Sequence, residues 1–267
     1  MSDAEEARLG HENLIAYSKA SSGWGRRGSF DEDDTTLLYA TGSWLPVGGN
    51  GAFRRRPTDP AGLIARADGF FGSLGRGYSV KVRDTGEDDD LRAACEASGL
   101  DAFGQPVPQM VCRQRLELDP LPDGVTLRPA VDAQGVADFV AVNTDAYATY
   151  GMPDDVLRDT FDRPDHVLAD ERTRIVVAYL AGRPVATALT FLSHGVGCLQ
   201  WVGTVSDVRR MRLGRVVTGW ATNESFDMGA SSVTLQASPM GRPLYAALGY
   251  ETLYHYREHV RWNAPHP

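Results

Sequence analysis

The sequence predicts an α/β (α+β) protein in two parts, with a smaller part before a larger one. The chain has 267 residues, which is long for one domain and comfortable for two at ~150 residues per domain. Its composition, 42% hydrophobic and 23% charged, is that of a globular protein. Strand-like and helix-like segments alternate along it. A polar, proline-rich stretch at 119–124 predicts a linker, with domains at 1–118 and 125–267.

The first part reads as mixed helix and strand. We expect helices at 4–20, 60–72 and 89–98, and strands at 35–40, 78–83 and 107–118. The acidic run 31–34 is expected to be a solvated loop. The segment Gly48-Gly49-Asn50-Gly51 is typical of a hairpin turn, since Asn-Gly suits positive φ. Residues 72–77 have the glycine spacing of a phosphate loop, but they follow a helix instead of preceding one, which favours a helix C-terminus.

The second part has a clearer pattern, in the order β-α-α-β-β-β-α-β-α-β. The strands are predicted at 125–129, 173–180, 184–191, 196–204, 232–237 and 253–262. The helices are predicted at 131–147, 153–161, 212–228 and 242–248, the third and fourth each followed by a glycine.

Charge and composition exclude several classes of function. The net charge of −8 argues against a nucleic-acid partner, because such proteins usually carry a basic face. No run approaches the ~18 apolar residues of a membrane span, and the acidic N-terminus is unlike a signal peptide. The three cysteines are far apart, without zinc-ligand spacing, so we expect reduced thiols, no metal and a cytoplasmic location.

The informative stretch runs from Trp201 to Val217. A strand ends there, an arginine-rich turn follows, and a long helix begins. The first turn of a helix has unpaired N–H groups and the positive end of the helix dipole, which together favour anions. A solvated basic helix start explains the same arginines when they are considered alone.

A second stretch, from Leu235 to Tyr250, adds a family resemblance. Val202-Gly203-Thr204, then Arg209-x-x-Arg212-x-Gly214, then Leu244-Tyr-Ala-Ala-Leu-Gly-Tyr250 resemble the ordered motifs of the GNAT superfamily of acyl-CoA-dependent N-acetyltransferases. The resemblance covers roughly 122–262. It implies a mixed, mostly antiparallel central sheet flanked by helices. The first part, which lacks both motifs, is a candidate degenerate copy of this fold, as in tandem members of the family, and we expect no CoA there.

The resemblance also implies a site. It assigns acetyl-CoA as cosubstrate and Tyr245 as the acid beside the CoA sulfur, since a tyrosine with pKa near ~10 holds its proton at neutral pH. The residues it assigns to CoA binding are Val202, Gly203, Thr204, Arg209, Arg210, Met211, Arg212, Leu213, Gly214, Arg215 and Ser238.

Arg212 departs from the family pattern, which has glycine at that position. An arginine with a helical backbone would leave the amides available, and its guanidinium would then meet a phosphate oxygen. The alternative is that the departure weakens cofactor binding.

The acceptor side of the site is less readable. In this family the first two helices and their loop select the substrate, which assigns Asp145, Tyr147 and Tyr150 to an amine; a solvated loop explains the same residues. No general base is evident. Glu224 lies on an apolar helical face and is expected to be a buried structural carboxylate.

The sequence therefore predicts an N-acetyltransferase that acts on a primary amine of a small molecule or peptide. The alternative is a non-catalytic acyl-CoA-binding or regulatory module. We expect a monomer or homodimer, with no nucleic-acid or membrane partner.

Overall fold

The computed structural model describes residues 1–262, and both halves of the chain contain helices and strands. The helices are α1 Asp3–Ser22, α2 Pro46–Gly49, α3 Pro60–Ser73, α4 Asp89–Ala97, α5 Ala133–Ala148, α6 Asp154–Thr160, α7 Pro164–Ala169, α8 Leu213–Asp227 and α9 Arg242–Ala247. The strands are β1 Ser29–Glu32, β2 Thr36–Ala40, β3 Asn50–Arg54, β4 Tyr78–Arg83, β5 Asp101–Cys112, β6 Val125–Pro129, β7 Thr173–Leu180, β8 Arg183–Ser193, β9 Val196–Thr204, β10 Ser232–Gln236 and β11 Glu251–Arg261.

All of these strands form one sheet, in the order β1-β2-β3-β4-β11-β5-β10-β9-β8-β7-β6. Neighbouring strands are antiparallel except in two pairs, β3 with β4 and β9 with β10. Each parallel pair is joined by a crossover helix, α3 in the first pair and α8 in the second, as parallel pairing requires. The predicted mixed, mostly antiparallel sheet is confirmed.

The two halves of the chain exchange strands at the centre of this sheet. β5, from the first half, pairs with β10, whereas β11, from the second half, pairs with β4. β5 and β11 also pair with each other. The predicted linker at 119–124 lies between β5 and β6. The domain boundaries stay a prediction, and residues 263–267 of the predicted second domain lie outside the described residues.

The sheet separates two layers of helices. Along β8, Leu189 and Phe191 pack in one core cluster with Phe139 of α5, while Ala186 and Ala188 pack in another with Val217 of α8. Because successive side chains of a strand point to opposite faces, α5 and α8 cover opposite sides. α1 contacts β9 and contributes to the α5 cluster.

Three predicted elements of the first half are only partly correct. Asn50 and Gly51 begin strand β3 instead of forming a hairpin turn, because the chain has already reversed before them and the Asn50 amide donates to the Ser43 and Leu45 carbonyls to close that loop. The acidic run contributes to edge strand β1, where Arg66 neutralises Asp31. The strand predicted at 107–118 runs instead from 101 to 112.

A buried polar cluster ties α1 to the first half of the sheet. His11 is 2% exposed. Its Nδ1 lies 2.8 Å from Tyr256 Oη in β11, and its Nε2 lies 2.9 Å from the Arg54 carbonyl in β3. Burial, with a contribution from the Arg83 charge, lowers the pKa of His11 to about 4. The imidazole is therefore neutral in the folded protein at pH 7.

Candidate active site

A cavity of about 770 Å³ opens where β9 and β10 separate. The two strands pair as far as Leu199 with Leu235. Beyond that point β9 continues to Thr204, whereas β10 ends at Gln236. The Gln200 side chain bridges the gap by donating to Gln236 Oε1 at 2.9 Å. The last residues of β9 thus present to the cavity an edge that no described strand covers.

A β-bulge in β9 lies where the cavity begins. The register of β8 against β9 shifts between Thr187 and Leu189, so that β9 carries one extra residue. Trp201, in the bulge, has φ +53°, and its indole N–H donates to Tyr17 Oη of α1 at 2.6 Å. A bulge interrupts the ladder and turns the strand. Here it fixes β9 to α1 and directs the following residues along the cavity wall.

Gly203 allows α5 to approach this wall closely. A Cβ atom at Gly203 would overlap Asn143 Oδ1 and lie 3.2 Å from Ala146 Cβ. Asn143 is fully buried and donates to the Phe139 carbonyl at 3.2 Å, so it has little freedom to withdraw. The close packing brings Ala146 and Tyr147 of α5 into the cavity wall.

The turn before α8 has a left-handed backbone at two arginines. Arg210 has φ +77°, and Arg212, the residue that caps α8, has φ +60°. The helical backbone considered for Arg212 is therefore wrong: the residue adopts the conformation that glycine accepts most readily. The first helical residues, 213–215, line the cavity. Amides of a first helical turn have no partner inside the helix, which makes this end of the cavity suited to an anion.

The four arginines of this turn differ in their partners. Arg215 pairs with Asp119 at 2.6 Å. Arg209 donates to a main-chain carbonyl of α5 at 3.2 Å. Arg210 and Arg212 both line the cavity and have no acidic partner within residues 1–262. Arg209 likewise has no acidic partner there, so three guanidinium groups of the cavity are without a counter-charge, and those of Arg210 and Arg212 also form no side-chain hydrogen bond within residues 1–262.

Tyr245 of α9 faces the same space. Its side chain is 8% exposed, and its hydroxyl has no hydrogen-bond partner among the described residues. Burial, with a smaller contribution from Tyr150, raises the pKa of Tyr245 well above its usual range. The phenol therefore keeps its proton at neutral pH and has it available for a bound group.

Two further tyrosines lie on the α5 side of the cavity. The Tyr147 ring packs 5.3 Å from the Trp201 ring, and burial raises the pKa of its phenol. Tyr150 Oη lies 3.1 Å from Ser238 Oγ, a hydrogen bond that joins the end of α5 to the turn after β10. Tyr147, Tyr150 and Ser238 were all predicted as site residues, and all three line the cavity.

Two predicted site residues do not line the cavity. Asp145 instead accepts a hydrogen bond from the Ser206 amide at 2.6 Å, which holds the turn after β9. Met211 is 36% exposed on the outside of the arginine turn. The remaining predicted residues come together around the one space.

No general base is evident in the cavity. Asp119 is the one carboxylate among its lining residues within 1–262, and it is paired with Arg215. Glu224 lies outside the cavity, and its side chain is 28% exposed with Arg174 3.8 Å away, so the expected buried carboxylate is wrong. The inner end of the cavity has amides instead: Gln236 donates to Gln109 Oε1 at 2.5 Å and accepts from its β9 neighbour.

Several lining residues were not found from the sequence. They are Asp119, Ala146, Gln236, Met240, Gly241, Leu244 and Ala247. Leu244 and Ala247 lie within the tyrosine motif, and Asp119 lies within the predicted linker, so their positions were visible in the sequence but their roles were not. Ala146, Gln236, Met240 and Gly241 have no signal of their own, because the folding of distant segments brings them to the cavity.

A family model described as "Acetyltransferase (GNAT) domain" matches residues 111–238, which include the free edge of β9, the arginine turn and α8. The resemblance found in the sequence is thereby confirmed over residues 111–238, which are similar to a GNAT acetyltransferase domain. The match ends before Tyr245, so the tyrosine lies outside it. No curated protein matches the chain.

Solved structures share the fold of this chain over most of its length. A GCN5-related N-acetyltransferase from Kribbella flavida is 19% identical, with 96% of this chain and 95% of that chain covered at a TM-score of 0.69. One from Sphaerobacter thermophilus is 14% identical, with 89% and 83% covered at 0.60. A tandem GNAT protein from the clavulanic acid biosynthesis pathway is 13% identical, with 100% and 98% covered at 0.59. The likeness to a tandem protein agrees with the repeated β-α-β crossover of the two halves.

The first half has different chemistry at the position that corresponds to the cavity between β9 and β10. The first amides of α3 are already bonded to the Asp59 carboxylate, at 3.1 and 3.0 Å, and Pro60 has no N–H. Between the ends of β3 and β4, Arg54 is 4% exposed and pairs with Asp88, which also binds Arg83. The chain's own charges fill this position in the first half.

Two further properties concern the described residues as a whole. No group of three or more His, Cys, Asp or Glu side chains in residues 1–262 is arranged to hold a metal ion. In the same residues, no helix combines the length and the apolar character that crossing a bilayer would require.

Proposed function

We propose that this protein transfers an acetyl group from acetyl-CoA to a primary amine of a small molecule or peptide. The proposal is supported by one observation above all. A single cavity contains two unpaired arginines at a helix start, an uncovered strand edge and a buried tyrosine hydroxyl. The GNAT domain itself suggests acetyl-CoA-dependent acetyl transfer.

The cavity fits the parts of the cosubstrate. Its volume of about 770 Å³ is in the range of small-molecule sites, ~300–1,000 Å³. Phosphate oxygens would bind the amides of 213–215 and the guanidinium groups of Arg210 and Arg212. An extended, amide-bearing arm would pair with the free edge at 202–204 in the manner of an added strand. When bound, acetyl-CoA supplies an activated acyl group as a thioester.

Tyr245 would donate a hydrogen bond to the leaving sulfur. Its raised pKa keeps the phenol protonated across the physiological range. The leaving thiolate, whose conjugate thiol has a pKa near ~8.5, is a weaker base than the phenolate of such a tyrosine. Full proton transfer therefore requires that burial also raise the basicity of the sulfur, and the hydroxyl acts mainly by stabilising charge as it develops.

Tyr147 and Tyr150 would form the acceptor side of the cavity, and Asp145, which lines no part of it, remains a weaker candidate. Because the lining residues within 1–262 offer no unpaired carboxylate or imidazole, the amine would arrive neutral or lose its proton to water. We therefore expect the pH profile of kcat/KM to follow the pKa of the amine, and two acceptors of different pKa should shift it correspondingly.

The second candidate function is a non-catalytic acyl-CoA-binding or regulatory module. The observation that favours it is the same absence of a base among the lining residues described above. Both candidate functions would bind CoA in the cavity between β9 and β10, called the cofactor cavity below, and they differ only in whether an acetyl group is transferred. A cytoplasmic monomer or homodimer is proposed in either case.

The experiment that separates them uses the full-length protein. Mass spectrometry under native conditions should detect bound CoA species, and a panel of amines with acetyl-CoA should then be assayed for released thiol and acetylated product. We expect both binding and at least one productive amine. Tight CoA binding without transfer to any amine would support the regulatory module, and absence of CoA binding would refute both.

A further inference from the structure

A second cavity, of about 580 Å³, lies between the two halves of the chain. Its walls come from the segment after α1, the loop after β2, the end of α3 and the start of α6, and it shares no lining residue with the cofactor cavity. Its volume is also in the ~300–1,000 Å³ range of small-molecule sites.

The walls of this second cavity are held firmly together. A Cβ atom at Gly42 would overlap the Asp159 carbonyl oxygen, so the loop after β2 packs directly on α6. The Arg26 amide donates to Asp162 Oδ1 at 2.8 Å, and Arg163 N donates to the Trp24 carbonyl at 3.0 Å. The space is therefore part of a packed interface.

The charges that face the second cavity do not cancel locally. Arg27 forms an ion pair with Asp159. The other arginine and the other carboxylate, Arg76 and Asp155, form no ion pair within residues 1–262 although both line the space. One unpaired positive charge and one unpaired negative charge thus remain.

Asp155 has a free oxygen in this setting. Its Oδ2 accepts a hydrogen bond from the Trp44 indole at 3.3 Å. Its Oδ1 is buried and has no hydrogen-bond partner. A buried acceptor without a donor is costly, so Oδ1 is suited to an N–H group from a bound molecule.

Arg76 is held by neutral oxygens, two of the main chain and one of the Asn50 side chain at 3.5 Å, and not by a carboxylate. Its guanidinium donates to the Thr41 carbonyl at 2.6 Å and the Arg27 carbonyl at 3.1 Å. Burial and the nearby Arg27 charge lower its pKa, which indicates a cation that an anion would stabilise. The glycine-rich segment 72–77, which the sequence argument assigned to a helix end, does end α3 and presents Arg76 to the cavity.

We propose that this second cavity binds a small molecule that carries both an ammonium group and a carboxylate. The ammonium donates to Asp155 Oδ1, and the carboxylate accepts from Arg76. Each charge of the ligand then replaces the partner that the protein does not provide, and the Arg27–Asp159 pair stays intact. The proposal is independent of the acetyl-transfer activity, because no residue of the cofactor cavity takes part.

The test is calorimetry on the full-length protein with β-alanine, γ-aminobutyrate and ε-aminocaproate as probes. Each probe is compared with its carboxylate-only and amine-only analogues, such as butyrate and butylamine for γ-aminobutyrate. We expect at least one probe to bind at one site per chain, at least about tenfold more tightly than either analogue, the scale of one charge-assisted hydrogen bond.

Matched variants locate the binding. Asp155→Asn keeps an oxygen for the Trp44 indole but removes the charge, and should weaken binding by at least about tenfold, as should Arg76→Gln. Asp154→Asn and Arg56→Gln alter exposed residues that do not line the cavity and should change affinity by less than about twofold. Should Arg76→Gln not fold, Arg76→Lys and Asp155→Asn decide.

Three results would overturn the proposal. The first is that no probe binds more tightly than its single-charge analogues. The second is that Asp155→Asn and Asp154→Asn bind alike. The third is that saturating CoA abolishes probe binding, which would assign the probe to the cofactor cavity. None of these results bears on whether the protein acetylates amines.

Discussion

Substitution of Arg212 separates the contribution of its backbone from that of its side chain. The residue combines a left-handed φ of +60° with a guanidinium that has no acidic partner among residues 1–262. Arg212→Ala removes the guanidinium and keeps the unfavourable backbone. Arg212→Gly removes the guanidinium and also restores the residue that tolerates this φ.

The two effects have different sizes and appear in different measurements. A left-handed conformation costs a non-glycine residue about 1–2 kcal/mol. Substitution by glycine removes that cost, but glycine loses more conformational entropy on folding, which offsets roughly 0.5–1 kcal/mol of the gain. Arg212→Gly should therefore raise the free energy of unfolding by about 0–1.5 kcal/mol, the difference between these two ranges. A hydrogen bond to a charged group is worth about 1.5–3 kcal/mol, so both variants should lose about 10- to 150-fold in CoA affinity.

Calorimetric titration with CoA and with dephospho-CoA measures the second effect, and urea unfolding measures the first. If the 3′-phosphate is the partner of Arg212, the loss should be smaller for dephospho-CoA. Arg158→Ala, on the exposed face of α6, is the control for removal of one positive charge. If both Arg212 variants bind CoA as tightly as the Arg158 variant, the guanidinium does not contact the cofactor and the argument from unpaired charge is refuted.

Three further predictions follow from the geometry. Tyr245→Phe should lower turnover by ~10²-fold or more with little change in acetyl-CoA affinity. The wild type should show no loss of rate from phenol ionisation below pH 10, because burial raises the pKa of Tyr245. Equal turnover of the variant and the wild type would exclude the hydroxyl from the mechanism. The pKa of His11 is about 4 in the folded protein and 6.5 in the unfolded chain, so the neutral imidazole contributes its full stabilisation above pH 6.5, and the free energy of unfolding should decline by about 3 kcal/mol as the pH falls to 4. Urea titrations at several pH values check this on the wild type and on His11→Gln, which should lack the decline. A fragment that begins at Asp119 loses β5 and exposes the edge of β10, so circular dichroism and gel filtration should find it unfolded or aggregated; a folded monomer would contradict this.

Local pattern predicted the elements that form the site. Strand β9 and the start of α8 were predicted to within a residue, because a β-rich run, an arginine turn and a helical period follow one another directly. The motif around Tyr245 then assigned that tyrosine, through the family resemblance, to the same cofactor site. Both signals are short in sequence, which is why they are readable without the fold.

The pairing of strands that are distant in the chain could not be predicted from the sequence. The interior position of β5 depends on β10 and β11, and neither leaves a mark on residues 101–106, which include a glycine and a proline. The left-handed backbone of Arg212 was not predicted either, because an arginine itself gives no signal for positive φ and only the family's glycine at this position pointed to it. Gln236 reaches the cavity only because β10 stops where β9 continues.

The strand exchange also sets the order in which the molecule is completed during synthesis. Lys81 in β4 and Glu258 in β11 face each other across the sheet but are 177 residues apart in the chain. At ~5–20 residues per second, the ribosome needs roughly 10–35 s to make β11 after β4. Throughout that interval the nascent first half displays the bare edge of β4, a surface on which another chain can add a strand. The yield of native protein should therefore depend on how well a chaperone or slow initiation of translation protects the edge of β4 until β11 has been made and pairs with it.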